Sequence, residues 1–134
     1  MLSFGQLRAW HQQLAQLPEA DLTPATSLLF SSPKVLEKEW RHVVVAGRVV
    51  ASVRYLWQGE LRVSVADVPP ALLAFVAECL ACYQPHEVVV LDTALAAGKY
   101  VIIECNCFNC TGFYHTDVTA SIAAVTEWRA AAGN

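Results

Sequence analysis

Near the start of the chain, apolar residues recur at spacings of three and four: Leu7, Trp10, Leu14 and Leu17. That period predicts a helix, with Ser3 placed to cap it and Pro18 to stop it. Residues 18–27 read as a connector, and Leu28 to Ser31 as a short strand. From about Lys38 the pattern changes. Glu39 to Val45 and Val49 to Trp57 are β-branched and aromatic runs, and Gly47 between them predicts a hairpin. A left-handed Ala46 is unfavourable and glycine suits the first position of a type II′ turn, so the expected turn is Gly47-Arg48. In that register Glu39, Arg41, Val43, Val45, Ser52 and Arg54 share one face, with Arg41 beside Arg54. Gln58-Gly59 predicts a second turn, leading to a third strand from Leu61 to Val65.

Asp67 and Pro69-Pro70 then announce a helix over about 70–83, with Leu72, Leu73, Val76, Cys79, Leu80 and Tyr83 as its apolar stripe. Val88 to Leu91 runs apolar without alternation, as a strand buried on both faces does. Ala96-Ala97-Gly98 predicts a three-residue loop back into Tyr100 to Glu104. A glycine-containing loop, 107–114, precedes a last helix over about 116–131, capped by Thr116. Helix, β-meander, helix, β-hairpin and helix in that order predict an α+β fold, an antiparallel sheet with helices packed on one face. The expected organisation is an N-terminal helix and connector over 1–27 and one compact domain over 28–134.

Composition narrows the possibilities. Of 134 residues, 55% are hydrophobic and 16% charged, the reverse of a disordered chain. Charges interrupt the apolar runs well short of the ~20 residues of a membrane helix, and the first residues lack a signal-peptide layout. The pattern therefore predicts a soluble cytoplasmic protein that does not engage a membrane. The net charge is −3, distributed as −1 over residues 1–40, +3 over 41–62 and −5 over 63–134. With a pI near 5.7 and few lysines, a nucleic-acid surface is not expected. An arginine-rich segment followed by an acidic one is read either as two solvated faces or as a phosphate contact followed by a cation site.

Side chains alternate along a strand, so Ile102, Glu104 and Asn106 are expected on one face, with Asp92 opposite Ile102 and diagonal to Glu104. Two carboxylates and an amide oxygen are the hard donors that Mg²⁺ prefers; two acids that merely mark strand ends are the plain alternative. Five cysteines raise a second possibility, because Cys79-x-x-Cys82 and Cys107-x-x-Cys110 have zinc-ligand spacing. Cys79 on the apolar stripe of a helix argues against it, since a free cysteine packs as a small hydrophobe.

Asp92 at the end of a buried strand, then Glu104-Cys105-Asn106-Cys107-Phe108-Asn109, then Gly112-Phe113-Tyr114, resembles the C-terminal half of ATP-grasp enzymes. Ser32-Pro33, Glu39-Trp40-Arg41 and the returning Val49-Val50-Ala51-Ser52 resemble the strands that lead into their site, so that the likeness spans about residues 28–126. The resemblance implies ATP and Mg²⁺ as cofactors, with Asp92, Glu104 and Asn106 as metal ligands. It implies nucleotide contacts from Glu39, Arg41 and Asn109, and phosphate contacts from Arg41 and Arg54. The activity implied is ADP-forming ligation, in which a carboxylate is activated as an acyl phosphate and attacked by an amine. The sequence holds no Gly-x-Gly-x-x-Gly or Gly-Lys-Ser/Thr loop. A partner chain carrying the other half of the fold, or a homodimer, is therefore expected. The competing expectation is an interaction module that keeps the fold without the chemistry.

Overall fold

The structure is a computed structural model that describes residues 3–17, 26 and 32–133. It divides into two units, Met1–Lys34 and Val35–Asn134. In the first, helix α1 spans Phe4–Leu14. Its start is a reciprocal capping box: the Gln6 amide donates to Ser3 Oγ at 3.3 Å and the Ser3 amide to Gln6 Oε1 at 2.8 Å. The expected end at Leu17 is short of α-helical, because Gln16 and Leu17 bond three residues back, to Gln13 and Leu14. The expected strand at 28–31 lies outside the described residues.

In the second unit, strands β1 (Lys38–Val45), β2 (Arg48–Trp57), β3 (Glu60–Ser64), β4 (Val88–Ala96) and β5 (Lys99–Asn106) form one sheet. Its order is β3-β2-β1-β4-β5, and every neighbouring pair is antiparallel. Helix α2 (Pro70–Cys82) carries the chain from one edge back to β4, and α3 (Val118–Ala131) follows β5. This is the expected α+β class with an antiparallel sheet. The helices, however, lie on two faces rather than one. Trp40, Val44, Val89 and Leu91 pack against Leu72 and Val76 of α2. Val43, Val45 and Val90, one residue out of phase, pack against Ala124, Val125 and Trp128 of α3. Apolar side chains on both sides of β1 and β4 require this two-sided cover. Of the expected α2 stripe, Leu72 and Val76 are buried, whereas Tyr83 is exposed.

All three hairpins close with a residue and a glycine in the left-handed region: Ala46-Gly47, Gln58-Gly59 and Ala97-Gly98. The first corrects the expected Gly47-Arg48 turn, and the third the three-residue loop, because Ala96 pairs directly with Lys99. A two-residue type I′ turn matches the right-handed twist of the strands, and that match outweighs about 1 kcal/mol of strain at alanine.

Bulges then set which residues share a face. Between Val43 and Val44 the partner on β2 jumps from Ala51 to Val49, so that Val50 is the extra residue. Parity beyond it is inverted: Ser52 pairs with His42 and Arg54 with Trp40, both on the α2 side, away from Arg41. Between Asp92 and Thr93 the partner on β5 jumps from Glu104 to Ile102. Ile102 therefore faces α2, and Glu104 lies directly opposite Asp92 instead of diagonal to it.

On the α2 side His42 is completely buried, hydrogen-bonded through Nδ1 to Ser52 Oγ at 2.8 Å and through Nε2 to Thr93 Oγ1 at 2.9 Å. Burial lowers its pKa from 6.5 to about 4. Between those values the unfolded chain binds a proton that the folded chain excludes. Stability is accordingly complete above pH 6.5 and falls by up to about 3 kcal/mol as pH drops to 4. Urea titrations between pH 7.5 and 4 are expected to show that slope in the wild type and to lose most of it in His42→Asn. A second expectation concerns the turns: Ala46→Gly, measured in the same way, stabilises by about 0.5–1 kcal/mol.

Candidate functional site

On the α3 side the bulges align a row of polar residues across three strands. Arg41 of β1 pairs with Asp92 of β4, which pairs with Glu104 of β5. The next row on that face is Val43, Val90 and Asn106. The structure thus brings Arg41, Asp92, Glu104 and Asn106 together.

Arg41 and Asp92 form a bidentate pair, Nε to Oδ1 at 2.8 Å and Nη2 to Oδ2 at 2.6 Å. The carboxylate is 1% exposed and the arginine 9%. The remaining Arg41 nitrogen, Nη1, donates to the Gly112 carbonyl at 2.9 Å. The guanidinium also lies 5.0 Å from the Tyr114 ring and 5.6 Å from the Tyr55 ring, and these two rings stack on each other at 4.9 Å. Hydrogen bonding to Asp92 raises the Arg41 pKa above 12.5, so the group stays charged. Burial pushes the Asp92 carboxyl upward against the pull of Arg41, and the charge of Glu104 adds to the push.

Glu104 is exposed at the sheet edge and accepts a 2.8 Å hydrogen bond from Asn106 Nδ2 through Oε1. That bond leaves Glu104 Oε2 and Asn106 Oδ1 without a protein donor. Hard oxygen donors beside two mutually repelling carboxylates, only one of them matched by an arginine, fit a divalent cation. Next to this group a cavity of about 430 Å³ is lined by Asn106, Asn109, Phe108, Cys105, Cys107 and His86, among others.

The segment after β5 holds the arginine. A 3₁₀ turn spans Phe108–Cys110, and Phe113 packs edge-on against Phe108 at 5.7 Å. Tyr114 and His115 both adopt positive φ, 45° and 63°. Two successive non-glycine residues in that region are strained, and the strain swings the Tyr114 ring onto Arg41. Thr116, the expected cap of the last helix, instead donates its hydroxyl to the Phe113 carbonyl at 2.7 Å. The cap is Asp117, which accepts from the Ala120 amide at 2.8 Å.

The other sequence candidates fall elsewhere. Glu39 accepts from the Tyr55 hydroxyl at 2.8 Å, one step out from Arg41. Arg54 lies on the α2 side and pairs with Asp67, so it is not part of this row. Cys79 and Cys82 belong to α2, while Cys105 and Cys107 lie at the end of β5. Among the described residues no group of three or more His, Cys, Asp and Glu is placed to hold a metal ion. The side chain of Cys110 is outside the described set.

Sequence reasoning missed Tyr55 and the mutual consumption of Arg41 and Asp92. Nothing in the spacing of β1 and β4 reveals that two distant segments pair at those two residues. Tyr114 was visible only as the end of the Gly-Phe-Tyr tail.

A family described as an ATP-grasp domain, the third family of its clade, matches residues 3–125. The chain belongs to this family. No curated protein matches it.

Removing one partner of the buried pair leaves an uncompensated charge. Arg41→Met is expected to cost about 3–5 kcal/mol, and Arg41→Met combined with Asp92→Leu to recover most of that loss. A denaturant double-mutant cycle measures the coupling.

Proposed function

We propose that the α3 side of the sheet binds ATP with Mg²⁺ and activates a carboxylate for C–N ligation. The observation that supports this most is the row formed by Arg41, Asp92 and Glu104 with Asn106 beside it, in a chain that belongs to the ATP-grasp family. In this reading Glu104, Asn106 and Asp92 hold the cation, which supplies charge neutralisation for the phosphates. Arg41 sets a fixed positive charge beside the transferring group, oriented by Asp92, Gly112 and the two tyrosines, so that no reorganisation is needed when charge develops. Glu39 and Asn109 border the nucleotide.

The chemistry is a substrate carboxylate oxygen attacking the γ-phosphorus while the bond to the β-phosphate oxygen breaks and ADP leaves. An amine then attacks the acyl carbon and displaces phosphate. Burial of Asp92 beside Arg41 keeps water from the charged pair and strengthens its field. A partner chain or a second copy supplies the other wall of the nucleotide cleft.

The complete engagement of Arg41 favours one second reading, an interaction module that keeps the fold without the chemistry. Calorimetry separates the two. The wild type is expected to bind Mg·ATP, and Glu104→Gln to bind it at least about tenfold more weakly. Binding by neither protein selects the module.

A further inference from the structure

On the α2 side, at the end of the sheet where β1, β2 and β3 meet, three cations gather round one indole. Lys38 Nζ lies 5.3 Å from the Trp57 ring centre, and the guanidinium carbons of Arg54 and Arg62 lie 5.0 and 5.9 Å from it. Their counter-charges are fewer. Arg62 pairs with Glu60 at 2.7 Å on the exposed surface. Lys38 and Arg54 share a single carboxylate, both reaching Asp67 Oδ2, at 2.9 and 2.8 Å. Trp40 fixes Asp67 in place by donating its Nε1 hydrogen to the Asp67 carbonyl.

The Arg54 side chain is only 8% exposed, yet its donors are poorly matched. Its Nε approaches Asp67 without the alignment of a hydrogen bond, and its Nη1 has no hydrogen-bond partner. A guanidinium with five donors, more than nine-tenths out of water and matched by half a carboxylate, is under-neutralised. Buried donors without partners are rare in folded proteins and mark places that an ion or water completes.

We infer that Lys38, Arg54 and Arg62, with Trp57 as their floor, form an anion site for a phosphate dianion, either free or carried on a small phosphomonoester. The charge count favours an anion: three cations face two carboxylates, one of which is exposed and turned to Arg62 alone. The geometry favours a phosphate, whose several oxygens can accept from the Arg54 fork, the Lys38 ammonium and the Arg62 fork together. The site is separate from the proposed nucleotide row, because Arg54 pairs with Trp40, whose ring packs against α2.

The test is the thermal unfolding midpoint of the whole chain in inorganic phosphate, in glycerol phosphate and in chloride at matched ionic strength. Phosphate well above its dissociation constant is expected to raise the wild-type midpoint by about 3 °C over chloride. Lys38→Met and Arg62→Gln, both at partly exposed positions, are expected to lose most of that rise, and Arg54→Met all of it. A rise with glycerol phosphate alone, abolished by the same substitutions, assigns the site to a phosphomonoester. The inference fails if neither anion raises the wild-type midpoint above chloride. It also fails if the rise survives in the Lys38→Met/Arg62→Gln double variant, which places the phosphate elsewhere.

Discussion

Two opposite charges lie side by side within the sheet, and much of the second unit is arranged around them. Arg41 and Asp92 pair across β1 and β4, the two strands that no hairpin joins. A buried ion pair stabilises little by itself, because desolvation takes back most of the Coulomb attraction. Its value lies in register. A slip of one residue between β1 and β4 would send Arg41 or Asp92 to the α2 face among Trp40, Val44 and Leu72, where neither charge has a partner. The same pair fixes the segment after β5, since the Gly112 carbonyl and the Tyr114 ring both rest on the guanidinium. One electrostatic contact thus ties together the middle of the sheet and the loop that covers it.

The bulges do the complementary work. An unbulged β1–β2 pair would place Ser52 and Arg54 beside Arg41, setting two arginines on one face with a single buried carboxylate. The extra residue at Val50 moves Arg54 to the other side, where Asp67 receives it. It also brings Ser52 to His42, giving that buried ring a partner for each nitrogen. On β5 the jump from Glu104 to Ile102 draws Glu104 level with Asp92 and turns Ile102 toward α2. Two single-residue irregularities therefore sort the charged side chains of the domain into two separate groups.

This sorting explains what was and was not legible in the sequence. Periodicity located every strand and helix of the second unit to within a few residues, because hydrophobic spacing follows directly from burial. The X-Gly turns were visible as turns, but their type was misjudged at Ala46, where strand twist outweighs the local preference of alanine. Placing Asp92 and Glu104 on one face was legible from the hairpin, although the pairing proved direct. The bulges were not legible: an inserted residue leaves no mark in a run such as Val49-Val50-Ala51, and parity beyond it is lost. Two-sided helix cover could have been read from Val43-Val44-Val45 and Val88-Val89-Val90, which are apolar on both faces and so need an apolar layer on each. The mutual engagement of Arg41 and Asp92 had no sequence signal, since strand order rather than spacing decides it.

The pair also constrains how a cation could enter the row. Both Asp92 oxygens already accept from Arg41, and the carboxylate is all but sealed from water. A carboxylate oxygen retains a second lone pair, so sharing with a cation is stereochemically open, whereas leaving Arg41 would strand a buried positive charge. Approach from the β5 edge is the less costly route. Glu104 is exposed there, Asn106 is already hydrogen-bonded to it, and the adjacent cavity runs past Asn106 toward Asn109. Glu104 and Asn106 are then the first donors met, with Asp92 behind them as a shared charge, screened by Arg41 on one side and open to Glu104 on the other. Such an order makes Glu104 the residue on which cation affinity turns and Arg41 the residue on which the integrity of the sheet turns, and it separates the two roles along a single row of side chains.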